Sequence, residues 1–440
     1  MQLDNIGKRV RLTIAGNHDV PEKVVRNLEA VWTILRDISI HHVERSQVGV
    51  GEFTNKKKKK KKKKKDMGKI LGSRDPALLR RLQYTIYRFT SKILLSRFNL
   101  HQLEFQKFTT AFKKTTSNPN LADQEEHRAV EILIGVINVI EHTLIPLLQK
   151  LKLNYYLEES EWEIVCIMMD GVLHDCEHIL DNKRFCEKWV IMARDVDKTI
   201  PTGFSLRGYL EKITLLHSHI RALVHSAQSL YPTFVKQLSI HPIPAERRTL
   251  LLPKTPEKLE ALITSVAHQQ GYALVNTTFI RKIEHYPSVE LKVHCECLLV
   301  KHFHTLKNTP EPKPSWNNIS PFSYIGVSKL SCQACGSWLK AYRSLGQQSF
   351  VTKGIHPKWS RSWGMPQLVN KVEMKQVQED MARDTARKFC LYQEGRARMV
   401  LLSGRAGMPL IKDDDYPLED GEAVLYTTAK MEKGDTWVMR

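Results

Sequence analysis

His294, Glu296, Cys332 and Cys335 are the residues of this chain whose types and spacing could do chemistry together. They lie in VHCECLLVKHF and, 38 positions after His294, in SCQAC, and each of the two segments reads as the start of a helix. Cys332 and Cys335, three positions apart, share one face of a helix, and the positive end of the helix dipole favours their anionic form. His294 supplies a third ligand and leaves the fourth position of a tetrahedral zinc ion to water, which is the arrangement of a catalytic site rather than a closed structural one. Zinc can lower the pKa of such a water from about 15.7 toward about 7, so a nucleophile is available without any serine. Glu296, in the same first turn as His294, is expected to stay off the metal and to relay the proton of that water.

A His, a Glu and a paired Cys in this order form the signature of zinc nucleobase deaminases. HCE, YIGVSKLSCQAC and FVTKGIHPKW together resemble the fungal OTT-type deaminase domain family of the cytidine-deaminase-like superfamily, over about residues 255–365. The resemblance implies zinc ligation by His294, Cys332 and Cys335 and proton shuttling by Glu296. It also implies an α/β/α three-layer domain with a mixed sheet of about five strands, in which both motif helices point their N-termini into one cleft. Most members of the superfamily have proline before the first cysteine. Ser331 stands there in this chain and resembles the usual residue of the fungal branch.

Other readings compete for the same residue types. Cys295, Cys297, Cys332 and Cys335 form a Cys-x-Cys and Cys-x-x-Cys set that could close a four-thiolate structural zinc site. Thiolates at i and i+2 of a helix point apart, however, and buried cysteines commonly act as small hydrophobes. His174, Glu177 and His178 match the inverted zinc-protease pattern His-x-x-Glu-His, with no second motif in support. His356, His302 and His304 are candidates for substrate contact, and a lone His more often packs. Trp316, Tyr324, Trp359 and Trp363 offer faces on which a base could stack. Core packing is expected for Tyr324 in its strand, and Trp359 is the better stacking candidate; His356 and Trp359 are taken as the substrate-binding pair.

The elements that must position these groups follow from periodicity. A helix is expected over 293–303, a strand over 322–327, a helix over 332–345 and a strand over 349–354, preceded by a helix over 255–270 and short strands at 272–275 and 288–291. This is an α/β layered domain spanning 255–365, with a proline-rich loop, KNTPEPKPSWNNISP, between the motif helices. Upstream, residues 69–240 read as an all-helical block, with helices at 78–98, 124–155, 161–178 and 205–235. Pro146 is expected to kink or end the second of these. Residues 1–50 form an N-terminal segment with a helix over 20–38, and 51–68 a disordered linker around the lysine run. Residues 241–254 form a proline-bearing linker, 366–400 a C-terminal helix and 401–440 a tail.

At 440 residues the chain exceeds what one core usually organises. The formal charge of +20 owes ten charges to the unbroken run Lys56 to Lys65 and stays basic without it. Phosphate-bearing partners such as RNA or single-stranded DNA fit that balance, and so does a solvated charged surface. The eight cysteines are unevenly spaced, unlike a small secreted disulfide framework, which points to a reducing compartment. No signal-peptide-like stretch opens the sequence, and the apolar segment 130–148 is broken by Glu131, Asn138, Glu141 and His142, so it reads as a core helix. The expectation is an intracellular protein, cytoplasmic or nuclear, with no membrane partner. The function expected is zinc-dependent hydrolytic deamination of cytosine or adenine in a nucleoside, nucleotide or single-stranded nucleic acid. The alternative is a zinc-stabilised binding or scaffold protein with an inactive deaminase-like domain.

Overall fold

The computed structural model describes residues 1–50, 76–116, 124–152, 157–251, 253, 255–269, 288–308, 316, 319–327, 329–360 and 362–405. Those residues are mostly helical, with one sheet of three strands and another of two. The expectations for the lysine run, for a strand at 272–275 and for the acidic stretch near the C-terminus fall outside the described residues. The chain divides into two compact units, one drawn from 1–246, 292–331 and 350–354, the other from 247–291, 332–349 and 355–440.

The first unit begins with β1 (Gln2–Asp4) and β2 (Arg9–Ala15), followed by the long helix α1 (Glu22–Val50). Helices α2 (Pro76–Phe89), α3 (Ser91–Asn99), α4 (Gln102–Thr116), α5 (Gln124–Val139) and α6 (Ile145–Lys152) continue it. Then come α7 (Glu159–Asp181), α8 (Lys183–Val196), α9 (Leu206–Ser229) and the single turn α10 (Tyr231–Phe234). Each buries an apolar stripe of helical period, as in α9, where Leu206, Tyr209, Leu210, Ile213, His217 and Ile220 are all buried. Ser205 starts that helix, its hydroxyl accepting the Gly208 N–H at 3.1 Å. Glu158 and Glu161 form a reciprocal capping box at the start of α7. Two of these helices, α4 and α8, carry no counterpart among the sequence expectations. They pack on each other through Phe112 and Trp189, with ring centroids 5.6 Å apart.

Pro146 does not end its helix. Residues Ile140–Leu144 form a π-helical turn in which the Ile145 N–H bonds back to Ile140 O, and α6 resumes beyond it. The proline has no N–H to give and its ring crowds the carbonyl four residues back, so the widened turn accommodates both defects. The continuous span Gln124–Leu151 is long and apolar enough to cross a membrane by length and composition alone. In the protein Leu133, Ile137, Ile140, Leu144 and Leu148 are fully buried among the other helices. At about 1.5–3 kcal/mol for each such side chain, this burial is a main support of the block.

One polar network starts inside it and reaches the partly exposed Asp170. The Tyr87 hydroxyl lies 2.5 Å from His217 Nδ1, and His217 Nε2 lies 2.7 Å from Asp170 Oδ1, which also accepts from Gln83 Nε2 at 2.9 Å. Both nitrogens of this buried imidazole thus have a partner, Nδ1 the Tyr87 hydroxyl and Nε2 the Asp170 carboxylate.

The helical block returns through β3 (Gln237–Ile243), which pairs in parallel with β2, Val10 opposite Leu238 and Ile14 opposite Pro242. β1 lies antiparallel on the other side of β2. A fourteen-residue helix, numbered α12 (Cys295–Asn308), packs against β2 and β3.

The second unit contains β4 (Arg247–Leu251) paired with β5 (Ser288–Lys292), and the helices α11 (Pro256–Gln269), α13 (Gln333–Arg343) and α14 (Lys371–Arg405). α13 packs along α14. Within the linker expected over 241–254 lie the end of β3 and the whole of β4. The strands expected over 322–327 and 349–354 meet in a single parallel bridge, Tyr324 to Val351, rather than in a ladder.

Candidate metal centre

His294 closes the turn between β5 and α12, and its carbonyl accepts the first helical bond, from the Leu298 N–H at 2.9 Å. It is therefore the N-cap residue of α12, and Glu296 sits in the first turn, buried at 5% exposure. The Cys295 N–H, one of the orphan donors of that turn, is taken by Asn17 Oδ1 at 3.1 Å. The Cys295 thiol donates to Glu296 Oε2 at 3.2 Å. Burial and the neighbouring Glu296 carboxylate push this thiol up to about 12, so it is held as a neutral donor.

Cys332 is the N-cap of α13 and Cys335 lies one turn on, both buried. Their sulfurs are 3.4 Å apart, far beyond the roughly 2.05 Å of a disulfide. The helix start is pinned by Gln333, whose N–H donates to Lys358 O at 3.0 Å. Ser331, just before it, donates its N–H to Gly354 O at 3.0 Å and its hydroxyl to Thr352 Oγ1 at 3.1 Å. A serine serves this position through a backbone donor that a proline would lack.

The ligand atoms of His294, Cys332 and Cys335 all lie within 4.8 Å of one another. Two thiolates on a tetrahedral zinc at about 2.3 Å each stand about 3.8 Å apart, so an imidazole and two thiols in this envelope fit that ion in number, type and spacing. Among the described residues the group holds neither Cys295 nor Cys297, and Cys297 is fully buried. Among the described residues His174, Glu177 and His178 form no such group either. Their helix face is exposed, Glu177 is paired with Arg221 at 2.5 Å, and the two histidine rings pack edge to face.

The remaining candidates separate by burial. Trp316 is 5% exposed beneath the guanidinium groups of Arg9 and Arg11, which lie 5.3 and 4.8 Å from its ring centre, so it is a packing residue. Tyr324, expected in the core, is 55% exposed, because the strand register turns Ile325 inward instead. Trp359 is half-exposed, and His356 uses Nδ1 to accept the Lys358 N–H at 3.1 Å. His302 packs on His241, with centroids 5.2 Å apart, and burial lowers it to about 4. His304 is buried and bonded to Asn308.

Two contributors were not anticipated. Asn17 lies 278 positions from Cys295, and no local pattern marks it. Trp363, anticipated only as a stacking surface, donates its indole N–H to Cys335 Sγ at 3.3 Å. Residues 293–367 match the family described as OTT_1508-like deaminase, and this segment carries all three candidate ligands together with Glu296, His356, Trp359 and Trp363. No curated protein and no solved structure matches the chain. A deaminase-family segment that contains a His, Cys, Cys group compatible with zinc points to a zinc deaminase.

Proposed function

We propose that the chain is a zinc-dependent hydrolytic deaminase acting on cytosine or adenine, in a nucleoside, a nucleotide or single-stranded nucleic acid. The observation that carries this reading is the convergence of His294 Nδ1 or Nε2 with the sulfurs of Cys332 and Cys335, with Glu296 in the adjoining helical turn. A bound zinc supplies an activated water near neutral pH. Glu296 would carry one proton of such a water to the ring nitrogen and the second to the exocyclic amine, so that the oxygen of water replaces the amine on the ring carbon and ammonia is released. Burial of Glu296 supports this role, since a relay must be screened from bulk solvent. Trp359 is the surface on which the base stacks, and His356 contacts the substrate through Nε2 while Nδ1 is held by the backbone. The basic charge of the chain favours a polynucleotide. The free thiols, among them Cys166, Cys176 and Cys186, favour an intracellular setting, cytoplasmic or nuclear. The same reading carries the expectation of a mixed sheet of about five strands under the motif helices.

The test incubates purified protein with nucleosides, nucleotides and single-stranded RNA and DNA, and reads both ammonia and the mass change of the base. Glu296→Ala is expected to keep zinc and lose activity by about 100-fold or more. Ammonia release absent from the whole panel, or equal in the variant, sinks the proposal and leaves a zinc-stabilised binding protein.

A further inference from the structure

Cys335 has a neighbour whose chemistry the reaction does not use. The Trp363 indole N–H points at its sulfur across 3.3 Å, and the Trp363 backbone N–H is itself held by Ser360 O at 3.3 Å. A thiol is a weak acceptor, and a metal-bound thiolate is a much better one, because the donor then faces a charge. An indole nitrogen is a donor only and cannot ligate the metal, so this contact can serve the ligand and cannot replace it. The contrast with Trp338, on the helix of Cys335, sharpens the point: its indole N–H is buried without a hydrogen-bond partner among the described residues, so burying an indole here does not by itself bring a sulfur to it.

We infer that Trp363 is a positioning residue of the metal centre, fixing the direction of the Cys335 lone pairs through its indole N–H. The inference rests on the zinc reading of His294, Cys332 and Cys335. Partners of this kind hold a ligand in its binding geometry and tune its donor strength, and their loss typically costs about 10- to 100-fold in metal affinity. Trp363→Phe keeps an aromatic ring in place and removes only the donor.

The experiment measures zinc affinity by chelator competition and records the thiolate-to-cobalt charge-transfer band of the cobalt-substituted protein, for the full chain and for Trp363→Phe. The expected result is a zinc dissociation constant raised by about 10-fold or more and a shifted band. A second measurement needs no variant. With cadmium-113 in the wild-type site, the indole proton should show scalar coupling to the metal through the N–H···S bond. Unchanged affinity and band in Trp363→Phe, or cadmium bound without that coupling, overturns the role of Trp363 and leaves the metal centre standing. A wild-type chain that takes up no zinc, cobalt or cadmium overturns both.

Discussion

Asn17 caps a helix that begins 278 residues later: its Oδ1 accepts the N–H of Cys295 at 3.1 Å. The N-cap residue of α12 is His294, whose carbonyl accepts the first helical bond, and the partner of the Cys295 N–H comes from the segment after β2. Asn17→Ala should lower stability by about 1 kcal/mol, the usual worth of such a cap. Because the loss falls on the first turn of α12, it should also speed amide exchange at Cys295 and weaken zinc binding. Thermal melts, amide exchange and chelator competition read the three effects; wild-type exchange at Cys295 would remove Asn17 from the account.

Much of the candidate centre was legible in the sequence, because metal ligation is written in local spacing. Cys332 and Cys335 share a helix face by their separation alone, and the structure brings His294 to them. What could not be read is what depends on distant pairing. β2 finds β3 more than two hundred positions away, and its alternation of Val10, Leu12 and Ile14 is too short a signal to name a partner. Helix α4 has buried residues at Phe105, Phe108, Thr109 and Phe112, a helical period, yet its phenylalanines and threonines are residue types enriched in strands. Tyr324 failed for another reason: a one-residue change of register exchanges the faces of a strand, and a pattern of four or five residues does not fix it.

Gly336, directly after Cys335, marks a close approach within the second unit. A Cβ there would stand 2.5 Å from Ile355 Cδ1 and 3.0 Å from its Cγ2. The terminal methyl can swing aside, since Ile355 is half-exposed, but the branch carbon is tied to the backbone. Gly336→Ala should therefore destabilise by about 1 kcal/mol, the low end of overpacking, and disturb the Cys335 turn. Ile355→Ala in the same chain should restore most of the loss. Equal melting temperatures for wild type and Gly336→Ala would show that the 355 segment yields freely.

Asp384 ties α14 to α13 by bonding the hydroxyl of Ser337 at 2.7 Å and the ammonium of Lys388 at 2.5 Å, with Lys340 at 3.3 Å. Burial alone would raise this carboxyl, but the bonds from Lys388 and Ser337 and the charges of Lys388 and Lys340 outweigh it and hold it at about 2. A carboxyl depressed on folding binds fewer protons in the folded state than in the unfolded one. Its contribution is thus complete above the ordinary value of 3.8 and is lost as the pH falls toward 2. Asp384→Asn removes the charge while keeping an acceptor for Ser337, so it should lower stability at pH 7 and flatten the acid limb between about pH 4 and pH 2. Denaturant unfolding followed across that range supplies the comparison. Parallel acid limbs in the two proteins would mean that other carboxylates set the acid sensitivity. Because Ser337 lies two residues beyond Cys335, the variant should also lose zinc at a higher pH than the wild type, a difference that metal release during an acid titration would expose.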